Sequence, residues 1–243
     1  MSINKTIHYC WFGNSEKSDL IKKCLDSWSK LKGYEIIEWN EKNFNINSHP
    51  YIKKAYENKK YAFVSDYVRL KVLYEYGGIY LDTDIEVKKS FDNFLNNDLF
   101  LGFMYDSLLG TAVIGAKKNN KIIKELLERY DKLELNNEAN NNMYTQYFLN
   151  NFANFKLNNK YQNLGQGISI YPKEYFERPT YKKSIHYSEH HYSASWKDEK
   201  KGIIKKIAKK IIPNVIYRSI THKISLKHTP YYDIYLKHKK LPY

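Results

Sequence analysis

The 243-residue sequence has few cysteines and no long apolar run. Cys10 and Cys24 are too few for the disulfide framework of a secreted domain. No apolar stretch reaches the length of about 18 residues that a transmembrane helix requires, so none is predicted. Residues 1–20 lack the basic start and continuous apolar run of a signal peptide. A reducing, cytoplasmic compartment is therefore the expectation.

Acidic residues are scarcer than basic ones, and the imbalance is confined to one end of the chain. Lys and Arg number 40 against 26 Asp and Glu, a formal net charge of +14. Residues 1–199 carry 28 basic and 25 acidic residues, a net charge of +3. Residues 200–243 carry 12 basic residues and one acidic residue, a net charge of +11. We expect a nearly neutral body, residues 1–199, with a basic appendage, residues 200–243. The 42% hydrophobic share, with 24 tyrosines, is enough for a packed core and excludes a disordered chain.

Strand-like and helix-like segments alternate along the body, which predicts an α/β fold with a mainly parallel or mixed sheet. Runs of β-branched and aromatic residues indicate strands, and apolar residues spaced three or four apart indicate helices. The predicted strands are residues 6–12, 34–39, 79–81, 99–104, 111–116, 168–171 and 185–187, and residues 85–87 are expected to continue as strand or turn. The predicted helices are residues 19–31, 51–76 with a break near 58–60, 121–133 and 143–152.

The motif Asp82-Thr83-Asp84 directly follows an apolar strand and the pair Gly77-Gly78. Two carboxylates one residue apart can converge on a divalent ion where a strand ends in a turn, and Mg²⁺ and Mn²⁺ prefer oxygen ligands. Such an ion can neutralise charge on a diphosphate leaving group. Ligands of open α/β sheets bind beyond the carboxyl ends of the strands, where this motif lies. A solvated acidic turn is the alternative for an isolated motif of this kind.

Segments in a fixed order resemble the DXD-motif sugar-nucleotide glycosyltransferases of family 32. They are His8-Tyr9-Cys10-Trp11-Phe12-Gly13, the run from Ala62 to Leu70 followed by Tyr76 to Asp84, and His190 to Trp196. The family includes yeast initiating mannosyltransferases and bacterial capsular polysaccharide transferases, and the clostridial glucosylating toxins have a similar core. The resemblance covers about residues 3–196. It implies a GT-A fold, a Rossmann-like mixed sheet flanked by helices, and retention of the anomeric configuration.

Roles for the acidic residues follow from the resemblance. It implies that Asp84 is the main ligand of Mn²⁺ or Mg²⁺, and that Asp82 contacts the ribose or donor sugar and reaches the metal through water. Asp66 and Arg69 lie at i and i+3 and share a helix face. In the family these positions hold the donor sugar hydroxyls, and the arginine also lies near the phosphate. A surface ion pair is the alternative for these two.

Aromatic and hydroxyl side chains complete the donor site that the resemblance implies. Trp11, with Phe12 beside it, matches the position that stacks on the nucleotide base. Tyr80 lines the donor pocket, and Ser195 and Trp196 contact the β-phosphate through a hydroxyl and an indole N–H. Packing in the core is the alternative for Trp11 and Tyr80.

The adjacent His190 and His191 are candidates for the last metal ligand, because neutral imidazole commonly binds metals. Their spacing does not decide between them, and two exposed loop histidines are the alternative. Gln146 and Asp106 are further candidates for the β-face of the sugar. The asparagine-rich residues 136–142 depart from the family pattern and leave acceptor recognition undefined.

The basic appendage predicts an interfacial helix over residues 202–212, where an isoleucine stripe alternates with pairs of lysines up to Pro213. Val215 to Ile224 is a second candidate helix. Each lysine near an anionic membrane contributes about 1 kcal/mol, so reversible docking beside a lipid-linked acceptor is expected. Packing on the body or in a homodimer is the alternative. No nucleic-acid recognition module is visible, and no nucleic-acid partner is expected.

These features predict a metal-dependent retaining glycosyltransferase, peripheral on the cytoplasmic face of the membrane, that extends a surface or capsular polysaccharide. The donor is a nucleotide-sugar, with UDP favoured over GDP by analogy with capsular relatives. One alternative is a haloacid-dehalogenase-type phosphohydrolase, but its motif lies near the N-terminus and has Thr or Val where Glu86 stands. The other is a non-catalytic membrane or nucleic-acid binder.

Overall fold

The computed structural model describes residues 2–135, 140–193 and 213–240. Its strands are β1 (Thr6–Cys10), β2 (Glu35–Trp39), β3 (Gly78–Leu81), β4 (Ile85–Val87), β5 (Leu99–Tyr105), β6 (Leu108–Ala116), β7 (Gln162–Gly165), β8 (Ile168–Tyr171) and β9 (Ser188–His190). Its helices are α1 (Asp19–Ser27), α2 (Pro50–Glu57), α3 (Tyr61–Tyr76), α4 (Lys121–Glu128), α5 (Asn141–Asn151), α6 (Lys173–Phe176), α7 (Asn214–Leu226) and α8 (Tyr232–Lys240). The predicted α/β class is confirmed.

One mixed sheet contains seven of these strands in the order β2-β1-β3-β6-β5-β8-β7. Strand β1 is parallel to β2 and β3, and β5 is parallel to β8. Strand β6 is antiparallel to both β3 and β5. Strands β4 and β9 form a separate antiparallel pair. Because only Asp82-Thr83-Asp84 separates β3 from β4, this pair lies at the carboxyl end of β3.

Successive side chains of β3 point to opposite faces of the sheet, and both faces are covered. Tyr80 belongs to the apolar cluster that includes Val68 of α3 and Phe148 of α5. Ile79 and Leu81 belong to the cluster on the other face. Strand β3 is therefore fully buried, and it rigidly supports the D-x-D motif at its end.

The chain enters β3 through a crowded turn that requires glycine. Gly78 has a φ of +105°, and a Cβ there would lie 2.6 Å from the carbonyl oxygen of Thr6. Beside it, His8 is fully buried, and Trp39 Nε1 donates to His8 Nδ1 at 3.1 Å. Since Nδ1 accepts, His8 Nε2 carries the proton and donates to Gly77 O at 2.8 Å. Burial lowers the pKa of His8, so the ring is neutral. Its two hydrogen bonds connect β1 to β2 and to the start of β3.

The C-terminal helices pack on the body. Leu226 of α7 and Tyr235 of α8 are each 8% exposed and belong to the same apolar cluster as α3. Ser107 and Thr229 share a hydrogen bond of 2.5 Å, and Leu157 N donates to His238 Nδ1 at 2.9 Å. Among the described helices, none has the length and apolar character needed to cross a bilayer.

The late part of the sheet differs from the sequence prediction. A strand over residues 185–187 is wrong, because Lys183–Ile185 form a 3₁₀ turn and the strand is β9, which pairs with β4. Strand β7 was not predicted, since its sequence Gln-Asn-Leu-Gly at the sheet edge has no apolar alternation. The helix break near 58–60 and the helix at 215–224 are confirmed. The predicted helix over 202–212 lies outside the described residues.

Candidate active site

The D-x-D motif forms a tight turn at the end of β3. Asp82 N donates to Ala112 O at 2.9 Å, and Ile85 N closes the turn by donating to Asp82 O at 3.0 Å. In the following pair of strands, Ile85 of β4 lies opposite His190 of β9. The turn and this register bring the imidazole to carboxylates that are distant in sequence.

Asp82, Asp84 and His190 form a compact cluster of metal-ligating side chains. One ligand atom from each lies within 4.8 Å of the others, and His190 Nε2 is 3.1 Å from Asp84 Oδ1. Asp84 is only 7% exposed. Two carboxylates and one imidazole fit Mn²⁺, and Mg²⁺ with the imidazole as the less preferred ligand. Substrate phosphates and water would complete either shell.

Charge complementarity holds the cluster together. Burial opposes ionisation of Asp84, but His190 and the Ser193 N–H, which donates at 2.8 Å, bring the pKa of Asp84 below its ordinary value. Burial also opposes protonation of His190, yet the charges of Asp84 and Glu177 raise the pKa of His190 to about 10. The carboxylate is therefore ionised, and a bound metal would displace the proton of His190, since imidazole ligates metals in its neutral form.

Glu177 supports His190 from behind, and the sequence analysis missed it. The Glu177 side chain is 2% exposed, and its Oε2 lies 2.7 Å from His190 Nδ1. Tyr192 donates its hydroxyl to the same oxygen at 2.8 Å. The absence of a side chain at Gly110 leaves room for Glu177, since a Cβ there would collide with the Glu177 carboxylate. An isolated Glu followed by Arg and Pro carries no motif, so only the fold reveals this role.

Arg69 connects α3 to the D-x-D turn. Its Nη2 lies 2.8 Å from Asp66 Oδ1 and 3.2 Å from Asp82 Oδ1, and its Nη1 donates to Thr111 O at 2.7 Å. The guanidinium carbon lies 4.6 Å from the centroid of the Tyr80 ring, and Arg69 is 4% exposed. This is a buried network and not the surface ion pair that was the alternative.

A cavity of about 240 Å³ opens beside Asp66. Asn140 and Gln146 also line it, and Asn140 Nδ2 donates to Asp66 Oδ1 at 2.7 Å. Burial raises the pKa of Asp66 to about 6. The structure thus places Gln146 at the same cavity as Asp66. Asp106 instead pairs with Lys173 at 2.5 Å.

The aromatic candidates separate into one accessible and two buried residues. Trp11 is half-buried, donates Nε1–H to Ser15 O at 2.8 Å and has Lys17 Nζ 5.1 Å from its ring centroid. Phe12 and Tyr80 are 4% and 1% exposed. Their rings are enclosed in the core, which is the alternative that the sequence left open for Tyr80, and a role of Phe12 and Tyr80 in the donor site stays a prediction.

The two histidines have different neighbours. His191 Nε2 lies 2.8 Å from Glu86 Oε2, whereas His190 lies in the acidic cluster. The His190 ring also stacks on Tyr192, with centroids 3.9 Å apart. From α7, Arg218 donates to the backbone carbonyls of His190 and His191. Ser195 and Trp196 lie outside the described residues.

The mixed sheet, with this cluster at the end of β3, has the GT-A type of fold. Residues 15–101 match the family described as "Glycosyltransferase sugar-binding region containing DXD motif". The chain thus contains the DXD-motif sugar-binding region of glycosyltransferases. The dehalogenase-type alternative is set aside, since both the matched region and the fold are those of glycosyltransferases.

Known proteins of several sources are similar to this chain. Inositol phosphoceramide mannosyltransferase 3 of Schizosaccharomyces pombe is 25% identical over 142 residues, which cover 56% of this chain and 39% of the relative. Subversion of eukaryotic traffic protein A of Legionella pneumophila is 26% identical over 164 residues, 54% of this chain and 25% of the relative. The chain thus spans well under half of either relative. The solved PaToxG glycosyltransferase has the same fold, with a TM-score of 0.50 and 23% identity over 61% of this chain and 69% of that one.

Proposed function

We propose that the protein is a metal-dependent retaining glycosyltransferase that moves a sugar from a nucleotide-sugar to a glycan or lipid-linked acceptor in surface or capsular polysaccharide synthesis. The convergence of Asp82, Asp84 and His190 within 4.8 Å carries the proposal. A UDP-sugar is the favoured donor. GDP-mannose is the alternative, because the Schizosaccharomyces pombe relative is named a mannosyltransferase. That name also supports a lipid-borne acceptor.

The side chains divide the work of transfer. Asp84, Asp82 and His190 would hold Mn²⁺ or Mg²⁺, which when bound neutralises charge on the departing nucleoside diphosphate. Asp66, at the edge of its cavity, would accept hydrogen bonds from the donor sugar. Arg69 fixes Asp66 and Asp82 relative to each other. Groups fixed before the substrate arrives need no reorganisation during the reaction, so positioning and charge account for the catalysis.

Donor-site aromatic and hydroxyl groups lie beside this centre in the proposal. Trp11 would stack on the base, since among Trp11, Phe12 and Tyr80 its ring is the accessible one. Ser195 and Trp196 would contact the β-phosphate and exclude water, which protects the donor from hydrolysis.

The test is turnover with Mn²⁺ and a panel of UDP- and GDP-sugars, measured as released nucleoside diphosphate. We expect Asp84→Asn to lower turnover at least about 100-fold, because one ligand of the charge-neutralising ion is lost. Its circular dichroism spectrum and melting temperature should remain those of a folded protein. Asp92→Asn, which removes a carboxylate paired with Lys5 at 2.8 Å and half exposed, is the control and should retain activity. Wild-type turnover in Asp84→Asn, or no metal-dependent donor binding at all, would contradict the proposal.

We also propose that the enzyme acts at the cytoplasmic face of an anionic membrane, through residues 202–243. Support comes from α7, where Ile216, Ile220 and Ile224 are 46%, 49% and 60% exposed. Four-residue spacing puts them in one row along the helix. The row follows the lysine-rich residues 202–212 in sequence. Apolar side chains beside lysines are the composition of helices that lie in the membrane interface.

Vesicle co-sedimentation of the full chain tests this location. Replacing Ile216, Ile220 and Ile224 together by Ser should weaken binding to phosphatidylglycerol vesicles at least about tenfold, since apolar burial adds to lysine attraction. Ile36→Ser, at a position 44% exposed on β2, is the control. Equal binding by the triple variant would refute docking through α7. The alternative is that a second copy of the chain covers the isoleucine row of α7. Analytical ultracentrifugation of the free protein tests this alternative.

A further inference from the structure

A second, larger cavity lies between the body and the C-terminal helices. Its volume is about 810 Å³, within the range of about 300–1,000 Å³ that small-molecule sites occupy. One wall is the segment from Lys173 to Lys182, and the other walls are α7 and α8. None of Asp82, Asp84 and His190 lines it.

The cavity has an excess of positive charge. Seven cationic side chains line it, against the two carboxylates of Asp106 and Glu174, a formal excess of five. Both carboxylates already pair with Lys173, at 2.5 Å and 3.0 Å. The remaining cations are Arg178, Lys182, Arg218, Lys223, Lys227 and Lys239. The sequence of residues 194–212 adds seven lysines and only two acids, so it would not balance this charge.

Buried nitrogen atoms in the wall lack hydrogen-bond partners among the described residues. Arg178 is 7% exposed, and its Nε has no hydrogen-bond partner among the described residues. His222 is 6% exposed, and within the same part of the chain its Nδ1 has none either. The Arg178 guanidinium lies over the rings of Tyr105 and Tyr192, 5.1 Å and 4.6 Å from their centroids. Buried polar groups are normally paired, so the unpaired N–H at Arg178 Nε indicates a ligand with acceptor oxygens.

Tyr192 separates this cavity from the metal-ligating cluster. Arg218 also lies 4.6 Å from the centroid of Tyr192, whose ring stacks on His190. A ligand held by Arg178 and Arg218 would therefore lie one side chain away from the cluster. The donor diphosphate is assigned to the cluster itself, which leaves this cavity for the other substrate.

We propose that the cavity binds a phosphate or diphosphate group of the acceptor, with Arg178 as the central contact and the lysines of α7 at the entrance. This assignment to the acceptor rests on the proposed transferase function. Planar guanidinium groups match the oxygens of phosphate, and Arg178 lies against two tyrosine rings with its Nε unpaired among the described residues. The lysines attract the anion through longer-range charge.

Isothermal titration calorimetry of the full chain with inorganic pyrophosphate, in EDTA, tests the site without metal or donor. Arg178→Gln should weaken binding more than about tenfold, because a charge-assisted contact is lost. The double variant Lys223→Gln/Lys227→Gln should weaken it about three- to tenfold at low salt, and both positions are exposed, so the fold is preserved. Lys53→Gln/Lys54→Gln, the same charge change on exposed positions of α2, should bind as the wild type.

Two results would overturn the proposal: no pyrophosphate binding by the wild type, or equal weakening by the α2 double variant. Asp84→Asn should bind pyrophosphate as the wild type does, so failure of the anion site and failure of the transferase are separate outcomes. Dihexanoyl phosphatidate and glucose 1-phosphate distinguish the sources. Tighter binding of the first supports a lipid phosphate in the cavity, and tighter binding of the second supports a free sugar phosphate.

Discussion

At the scale of single residues, His190 lies between two carboxylates. Asp84 lies at its Nε2 and Glu177 at its Nδ1, 3.1 Å and 2.7 Å away. In metal sites a carboxylate behind the imidazole fixes the ring orientation and raises its basicity. Glu177 is therefore a positioning residue, which reaches the proposed metal only through His190.

Glu177→Gln should lower Mn²⁺ affinity about 10- to 100-fold, the usual effect of removing such a partner. The affinity is measured by titration calorimetry of the protein without donor. Glu174→Gln is the control, since Glu174 pairs with Lys173 at 3.0 Å and is not in the cluster. Unchanged Mn²⁺ affinity in Glu177→Gln would show that the contact serves only the fold.

The sequence identified the residues that are close to one another in the chain. Asp82 and Asp84 follow a recognisable strand, and Asp66 and Arg69 share one helical turn, so their proximity is local. Glu177 joins them through its contact with His190, which the β4–β9 pairing brings to Asp84, and no single-sequence pattern predicts that pairing. The burial of Phe12 and Tyr80 could not be predicted either. An aromatic residue beside a motif has the same sequence signal whether it faces a ligand or the core.

At the scale of elements, the entry to β3 sets the position of the D-x-D turn. Gly78→Ala should destabilise the protein by more than about 2 kcal/mol, because the backbone conformation is unfavourable for alanine and the Cβ meets Thr6 O. Gly33→Ala is the matched control: its φ is +76°, and a Cβ there meets nothing within 4 Å. It should cost only about 1 kcal/mol. Urea unfolding measures both, and equal losses would show that the clash is relieved.

Prediction of strands and helices from the sequence succeeded for elements that are fully buried or buried on one face. It failed at the edge of the sheet. Buried β6 has a continuous apolar sequence, and α4 has its apolar residues on one face. Edge strand β7 is held by backbone hydrogen bonds to β8, and such bonds do not produce a recognisable side-chain pattern in the sequence. The boundary of β9 depends on its register with β4, which is a tertiary property.

At the scale of the whole molecule, the C-terminal helices carry positive charge and also pack into the core. Leu226 fills the core from α7, while Ile224 on the same helix is 60% exposed. Leu226→Ala should therefore lower the free energy of unfolding by about 2–5 kcal/mol. Ile224→Ala should stay within about 0.5 kcal/mol. Chemical denaturation compares the two, and similar losses would mean that α7 contributes no core packing.

The same packing changes how the basic appendage should be studied. Deleting residues 200–243 removes Leu226 and Tyr235 from the core as well as the lysines. Reduced activity of such a fragment would not distinguish lost docking from lost stability. Point substitutions on the exposed faces of the full chain keep the two effects apart.

The contact of Arg218 with the carbonyls of His190 and His191 also bears on the order in which a new chain matures. Synthesis proceeds from the N-terminus, so the carboxylates of the D-x-D turn, Glu177 and both histidines leave the ribosome before α7. The sheet can form while the loop after β9 still lacks this donor. The carbonyls of His190 and His191 gain their Arg218 donor only after α7 has been synthesised, so the backbone beside the cluster is the last part of the site to be completed.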